Sequence, residues 1–318
     1  NFMNVIHRGE FFALCTTLCW SLAVFPFAEA TKRWGPSATN HFRLILGSIL
    51  LTIVCLFILS LSVGKLFLLP ELHDWVWFGL SGIFALTIGD FLGFSTYSIL
   101  GPRIGSVFNT FTPGVVLILS YFFLSERINI VGVAGILITI IGVAGITLGK
   151  KEKNKVPTGS LSITNKGILL GLCYALCQAL SFIFAKKGMN ADTHISALQA
   201  TWIRMLVAMV AAFLSRSLFR RIKVTYAPIF GNMNKGMPYA VYGTLLGPTM
   251  GAGFAMYAIS LIDISIAQTI FAIVPVLVLL WAWIIYKEKI TIQAIAGAAV
   301  SVAGVILLIW RNQLILLF

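Results

Sequence analysis

The sequence predicts an all-α membrane protein with ten transmembrane helices arranged as two inverted five-helix repeats. Three observations lead there. Hydrophobic residues fill 59% of the 318 positions and charged residues only 10%, and mean hydropathy is +0.96, so most side chains must meet hydrocarbon. The apolar residues gather into ten stretches of about 20, enough to span roughly 30 Å of hydrocarbon at about 1.5 Å per residue. Residues 113–148 recur 162 positions later, carrying Pro113 onto Pro275, Glu126-Arg127 onto Glu288-Lys289, Ala134-Gly135 onto Ala296-Gly297 and Gly142-Val143 onto Gly304-Val305. Ten of these 36 positions are identical, and paired Pro, Glu and Gly at one offset point to a duplicated membrane unit.

The first predicted span, 9–29, follows Arg8 but is long, holds Trp20 and Pro26, and leads to no small-residue cleavage pattern. It is expected to be a permanent span rather than a signal peptide. Spans two to five fall at 39–62, 75–99, 104–124 and 128–148. Each is continuously apolar rather than alternating, which disfavours a barrel. Helices remain, because an unpaired amide in lipid costs several kcal/mol. Lys150 to Ser160 is the most polar stretch and reads as a solvated linker, dividing the chain into repeats at 1–149 and 166–318 around residues 150–165. The second repeat opens with LCYALCQAL at 172–180, which echoes LCTTLCWSL at 14–22 with an offset of 158, and continues in spans at 166–186, 196–218, 238–260, 264–286 and 291–311. Five is odd, so the second repeat enters the membrane from the opposite side.

Among the ten acids only Asp90 lies well inside a predicted span, and an ionisable group at depth is a functional candidate by default. It sits in Gly89-Asp90-Phe91-Leu92-Gly93, matched in the other half to Gly247-Pro248-Thr249-Met250-Gly251, so both helices are interrupted by small or helix-breaking residues. Asp90 is therefore read either as a proton acceptor or contact for a cationic group, or as a structural partner of Arg43 or Arg204. Arg204 falls about eight residues into its predicted helix, roughly 12 Å deep, where its fork suits a carboxylate or phosphate. Arg43, about four residues in, is expected to snorkel. Asn109 and Thr110 before Pro113, and Gln268 before Pro275, give each half a polar turn beside a kink. Trp20, Tyr97, Tyr174, Gln178, Trp202 and Tyr257 are candidate walls for an amphipathic solute, and some of them are expected to be packing or interface residues instead.

Cys15/Cys19 and Cys173/Cys177 read as small hydrophobes rather than ligands; no metal, cofactor or disulfide is expected. Gly132, Gly135, Gly142, Gly145 and Gly149, with Ala294, Gly297, Ser301 and Gly304, form small-residue faces on the fifth and tenth helices. These serve packing within the bundle or a homodimer.

Ten spans, an Arg in the second and seventh, Pro followed by Glu-Arg or Glu-Lys at the ends of the fourth and ninth, and small-residue fifth and tenth helices together resemble the EamA-type branch of the drug/metabolite transporter superfamily, over essentially the whole chain. The resemblance implies an inverted-repeat carrier in a bacterial cytoplasmic membrane. Its central cavity would be built mainly by helices one to four and six to nine, and its substrates would be small molecules such as amino acids, nucleotide sugars or purines. Loop charges divide six against fifteen, which by the positive-inside rule puts both termini outside, whereas the resemblance implies cytoplasmic termini. The net charge of +13 suits an anionic membrane surface, notably around Phe219-Arg220-Arg221-Ile222-Lys223, rather than nucleic acid. The reading is a secondary active transporter of a small polar or amphipathic metabolite, with proton coupling through Asp90 and flexing points at Pro113, Pro248 and Pro275. A lipid or polyprenyl-phosphate translocase is the alternative. An intramembrane enzyme is disfavoured, since paired aspartates or a Ser-His dyad at depth are not encoded.

Overall fold

The computed structural model describes residues 2–93, 95–96, 108, 111–148, 165–189, 195–231, 233–287 and 291–315. All regular structure among them is helical: α1 (Phe2–Trp34), α2 (Pro36–Ile58), α3 (Val63–Leu68), α4 (Leu72–Gly93), α5 (Thr112–Phe123), α6 (Ile130–Leu148), α7 (Asn165–Met189), α8 (Ala197–Leu218), α9 (Ile222–Gly231), α10 (Lys235–Leu261), α11 (Ile264–Phe271), α12 (Val274–Tyr286), α13 (Ile292–Ile309) and α14 (Arg311–Ile315). Eight segments among the described residues are long and apolar enough to cross a membrane: α1, α2, α4, α7, α8, α10, α13, and α11 with α12 over Ile264–Trp281. Thr112–Phe123 and Ile130–Gly145 are shorter apolar helices. Outward-facing side chains such as Phe57, Leu72 and Ile130, each about four-fifths exposed, would be an aggregation hazard in water and suit lipid.

Local chemistry fixes the boundaries. The Ser196 hydroxyl accepts from Gln199 N–H at 3.2 Å while the Gln199 side chain accepts from Ser196 N–H at 3.1 Å, a capping box that starts α8. Thr291 caps α13 through Ala294 N–H at 3.3 Å. The predicted ninth span divides because Pro275 has no N–H to return to Phe271, so α11 ends there and α12 begins at Val274.

Packing alternates between the two parts of the chain. α1 lies along α10 and α12, α7 along α4 and α5, and α2 along α8. The closest pair is α6 with α13. A β-carbon on Gly135 would stand 2.8 Å from the Gly304 carbonyl, one on Gly142 would stand 2.7 Å from the Gly297 carbonyl, and Thr139 Oγ1 meets the Ser301 carbonyl at 3.5 Å. Contacts that climb α6 descend α13, so the two run antiparallel. Gly135, Gly142, Gly297, Ser301 and Gly304 are thus used in packing inside the chain, whereas Gly145 is exposed and Gly149 lies outside the described residues. On the outer sides of these helices Ile141 and Ile306 are exposed.

Backbone irregularities also occur in pairs. α4 contains a π-helical stretch at Ile83–Gly89 and α10 another at Leu245–Gly251, 162 positions apart. Left-handed non-glycine residues stand at Ser125 and Lys287, again 162 apart, and at Ser60 and Arg220, 160 apart.

Candidate functional site

The expected helix interruptions are π-turns rather than breaks. In α4 the Asp90 N–H reaches back to the Ala85 carbonyl, and in α10 the Ala252 N–H reaches back to Gly247. This sets the local register at 162 rather than the 158 read from the sequence, so Gly89 matches Gly251, and Asp90 matches Ala252, which is not an acid. Each widened turn receives a side chain from the other half. A β-carbon on Gly89 would lie 3.1 Å from Gln178 Nε2, and one on Gly251 would lie 2.5 Å from Trp20 Cδ1. Trp20 and Gln178 occupy the same place in LCTTLCWSL and LCYALCQAL. Gln178 donates to the Ala85 carbonyl at 3.5 Å, and Trp20 rests edge-on against Phe271 with ring centres 5.1 Å apart.

Asp90 is ion-paired with Arg43, both mostly buried. Because Pro36 starts α2 ahead of the predicted boundary, Arg43 lies seven residues into its helix, as deep as Arg204 in α8, roughly 10 Å. It does not snorkel as expected. Its Nε–H donates to Asn40 Oδ1 at 2.7 Å, Asn40 donates to the Leu86 carbonyl at 3.4 Å, and the guanidinium lies 5.8 Å from the centre of the Phe27 ring. Tyr174, one turn before Gln178, packs where Gly93 leaves room.

Arg204 is buried on a different footing. It donates to Met256 Sδ at 2.8 Å and to Ser181 Oγ at 3.3 Å, and lies 5.8 Å from the centre of the Phe182 ring, while its Nε is buried without a partner. None of the ion pairs among the described residues includes it. Gly82 lies so close to the Arg204 carbonyl that no β-carbon fits. Phe182 continues to Phe271 at 6.0 Å and so to Trp20. Gln268, one turn before Phe271, is buried with an unpartnered Nε2.

The remaining candidates lie elsewhere. Trp202 is fully buried in a packing cluster with Trp75 and Phe67 and donates to Thr52 at 2.8 Å. Tyr257 is 41% exposed and packs on Phe12. Tyr97, Asn109 and Thr110 lie outside the described residues.

Sequence reasoning missed Asn40, Ser181, Met256 and Lys186. Lys186 is a buried cation that donates to the Ile259 and Ile262 carbonyls at 2.6 and 2.8 Å, closing the end of α10. Beside it Glu126, of the Glu-Arg pair, accepts from Ile264 N–H at 3.0 Å at the start of α11. Burial pushes its carboxyl above the usual range, against the pull of that hydrogen bond. The spacing of Asn40 and Arg43 on one helix face was the available signal for that contact.

The EamA-like transporter family matches residues 7–148 and 165–310. The chain is 24% identical over 302 residues to the "Uncharacterized transporter YdfC" of Bacillus subtilis (strain 168), covering 90% of this chain and 86% of that one. A solved structure described only as the crystal structure of a protein is similar with a TM-score of 0.69 at 15% identity, covering 94% of this chain and 96% of that one, a likeness of fold alone.

Proposed function

The chain belongs to the EamA-like transporter family and is a membrane transporter, and from that premise we propose that it is a secondary active carrier of a small amphipathic metabolite bearing a carboxylate, phosphate or similar anionic group. The observation that carries this reading is Arg204: a cation at membrane depth that no carboxylate among the described residues neutralises. Leaving a charge at that depth costs about 2.5–3.5 kcal/mol on insertion scales, and an anionic solute recovers it on binding. Ser181, Phe182, Phe271, Trp20 and Gln268 line the path such a solute would follow, the rings taking its apolar part.

Transport proceeds by alternating access between two inverted five-helix halves in a ten-helix bundle of a bacterial cytoplasmic membrane. Support comes from the paired π-turns, the paired left-handed residues, the antiparallel α6–α13 contact, and the match of the family to two segments. Trp20 and Gln178, each wedged into the other half's π-turn, are the groups that slide when the halves rock. Asp90 and Arg43 form the coupling site: a proton on Asp90 frees the guanidinium, and its departure restores the pair.

The test is a thermal-shift screen of purified protein against matched anionic, neutral and cationic metabolites, followed by uptake of each hit into liposomes with and without a pH gradient. Stabilisation by anionic solutes that Arg204→Met abolishes is expected. Hits confined to cationic solutes would overturn the substrate class, and uptake by Asp90→Asn that still follows the pH gradient would overturn the coupling.

A further inference from the structure

Away from the carrier site, α2, α8 and α9 enclose a groove of about 190 Å³ whose mouth faces outward. Its α8 wall carries Val210, Phe213 and Leu214, 46%, 47% and 59% exposed, and Ile45 of α2 is 36% exposed opposite them. The polar groups in the lining, His41 and Tyr226, are hydrogen-bonded to each other at 3.1 Å, so the interior offers little to water. Beside a bundle that crosses a membrane, a groove of this kind opens onto lipid.

The rim gives the groove a sign. Arg216 stands three residues beyond Phe213 and four beyond Ala212, on the helix face that lines the groove. Lys223 stands three before Tyr226 on α9. Arg220 and Arg221 form the short turn between them, with Arg220 left-handed at φ 52°, and α9 packs back against α2. All four cations are at least partly exposed. The sequence holds no acid between Asp192 and Asp263, and the acids on the neighbouring helices are engaged elsewhere: Glu29 with Lys32 and Arg33, Asp90 with Arg43.

We propose that this groove binds one acidic phospholipid, its acyl chain lying between α2 and α8 and its phosphate held by Arg216 and Lys223, with Arg220 and Arg221 adding field. Apolar burial alone would take any lipid; the unopposed cations select the anionic one, and their depth at the end of α8 matches a headgroup above a chain. The site is independent of substrate binding, since it shares no residue with Arg204, Asp90 or their partners.

The experiment uses full-length protein in detergent, loaded with phosphatidylglycerol or phosphatidylcholine, with retained lipid counted by native mass spectrometry and the unfolding midpoint followed alongside. Selective retention of one phosphatidylglycerol is expected, weakened roughly fivefold by Arg216→Gln and again by Lys223→Gln, while the midpoint in phosphatidylcholine stays put. Val210→Trp, which fills the mouth of the groove with the rim intact, should also lower retention. Equal retention of both lipids would overturn the proposal, as would unchanged selectivity in both Gln variants. Full competition by free glycerol 3-phosphate would do so too, because then no chain occupies the groove. A lipid-independent dimer that buries this face would mean that a second copy of the chain is its occupant.

Discussion

Arg43 and Arg204 each stand seven residues into their helices, α2 and α8, yet their surroundings differ completely. Arg43 has a carboxylate, an amide oxygen and an aromatic ring; Arg204 has a thioether, a hydroxyl and a ring, with one nitrogen unpartnered. The reason lies on the facing helices, where Asp90 of α4 corresponds in the π-turn register to Ala252 of α10. The chain thus sets two cations at matching depth and supplies one of them with a counter-ion. Lys186 shows how this chain settles a buried cation, with two carbonyls at the end of α10 and the Glu126 carboxylate nearby. An arginine left half-satisfied beside it is therefore read as awaiting a partner, whereas a paired one supports the fold until the pair is opened.

The contrast is broken most sharply by removing each cation. Arg43→Gln should lower stability by about 3–5 kcal/mol, because Asp90 is left buried and uncompensated, and Arg43→Gln/Asp90→Asn should recover most of the loss. The unfolding midpoint of the purified variants in one detergent measures both; equal midpoints for the single and double variants would mean that the pair contributes nothing. Arg204→Met should leave the midpoint unchanged or raise it, since it removes a charge without stranding another. What it should lose is ligand stabilisation, about 2.7 kcal/mol at a hundredfold excess over Kd, with transport lost as well. If Arg204→Met unfolds the protein as readily as Arg43→Gln, the two sites are alike and the substrate reading fails.

A smaller effect distinguishes the two π-turns. Gly251→Ala would push a β-carbon against the indole of Trp20, a rigid ring 2.5 Å away, and should cost about 1–3 kcal/mol. Gly89→Ala meets the end of a flexible glutamine, which can withdraw, but also the Phe84 backbone carbonyl at 2.6 Å, which cannot, so its cost should come from the turn itself and should not be relieved by shortening Gln178. Trp20→Phe in the Gly251→Ala background should restore part of the midpoint, and absence of any rescue would show that the turn itself, not the wedge, is what the methyl disturbs.

The all-helical, membrane-crossing character was legible because it rests on what each position contributes alone: long apolar runs, punctuated by Pro and Gly. The π-turns were visible only as suspicious glycines and Pro248, since an extra residue per turn is held by what the neighbouring helix inserts, and neither Trp20 nor Gln178 is near in sequence. The depth of Arg43 followed from where α2 starts, a matter of Gly35-Pro36 that the apolar window overlooked. Asp90 called for an arginine partner, but nothing local chose between Arg43 and Arg204. Trp202 carried the composition of a binding wall and landed in a packing cluster, because an aromatic at helical spacing says nothing about which neighbour it meets. Lys186, at the end of a predicted span, carries no local sign of its partners, which are carbonyls more than seventy residues away.

The mildest test concerns Glu126, the carboxylate beside Lys186, and asks whether the satisfied cation really is settled. Burial raises the Glu126 carboxyl above the ordinary value of about 4.3, and Asp263 adds to the rise, while the Ile264 N–H and Lys186 oppose it. A carboxyl whose folded value is raised favours the folded state when protonated. Its contribution is therefore fully present below the unfolded value, declines as pH climbs from there through the raised folded value, and is flat above it. Glu126→Gln keeps an acceptor for the Ile264 N–H and has no proton to lose, so its unfolding midpoint should decline less than that of the native chain between pH 4 and neutrality, by an amount below about 1 kcal/mol. The two profiles should converge at acid pH, where both side chains are neutral. Parallel profiles across the whole range would mean that Lys186 holds Glu126 as a fully compensated ion. The end of α10 would then contain a second satisfied pair like Arg43–Asp90, and Arg204 would stand still more clearly apart.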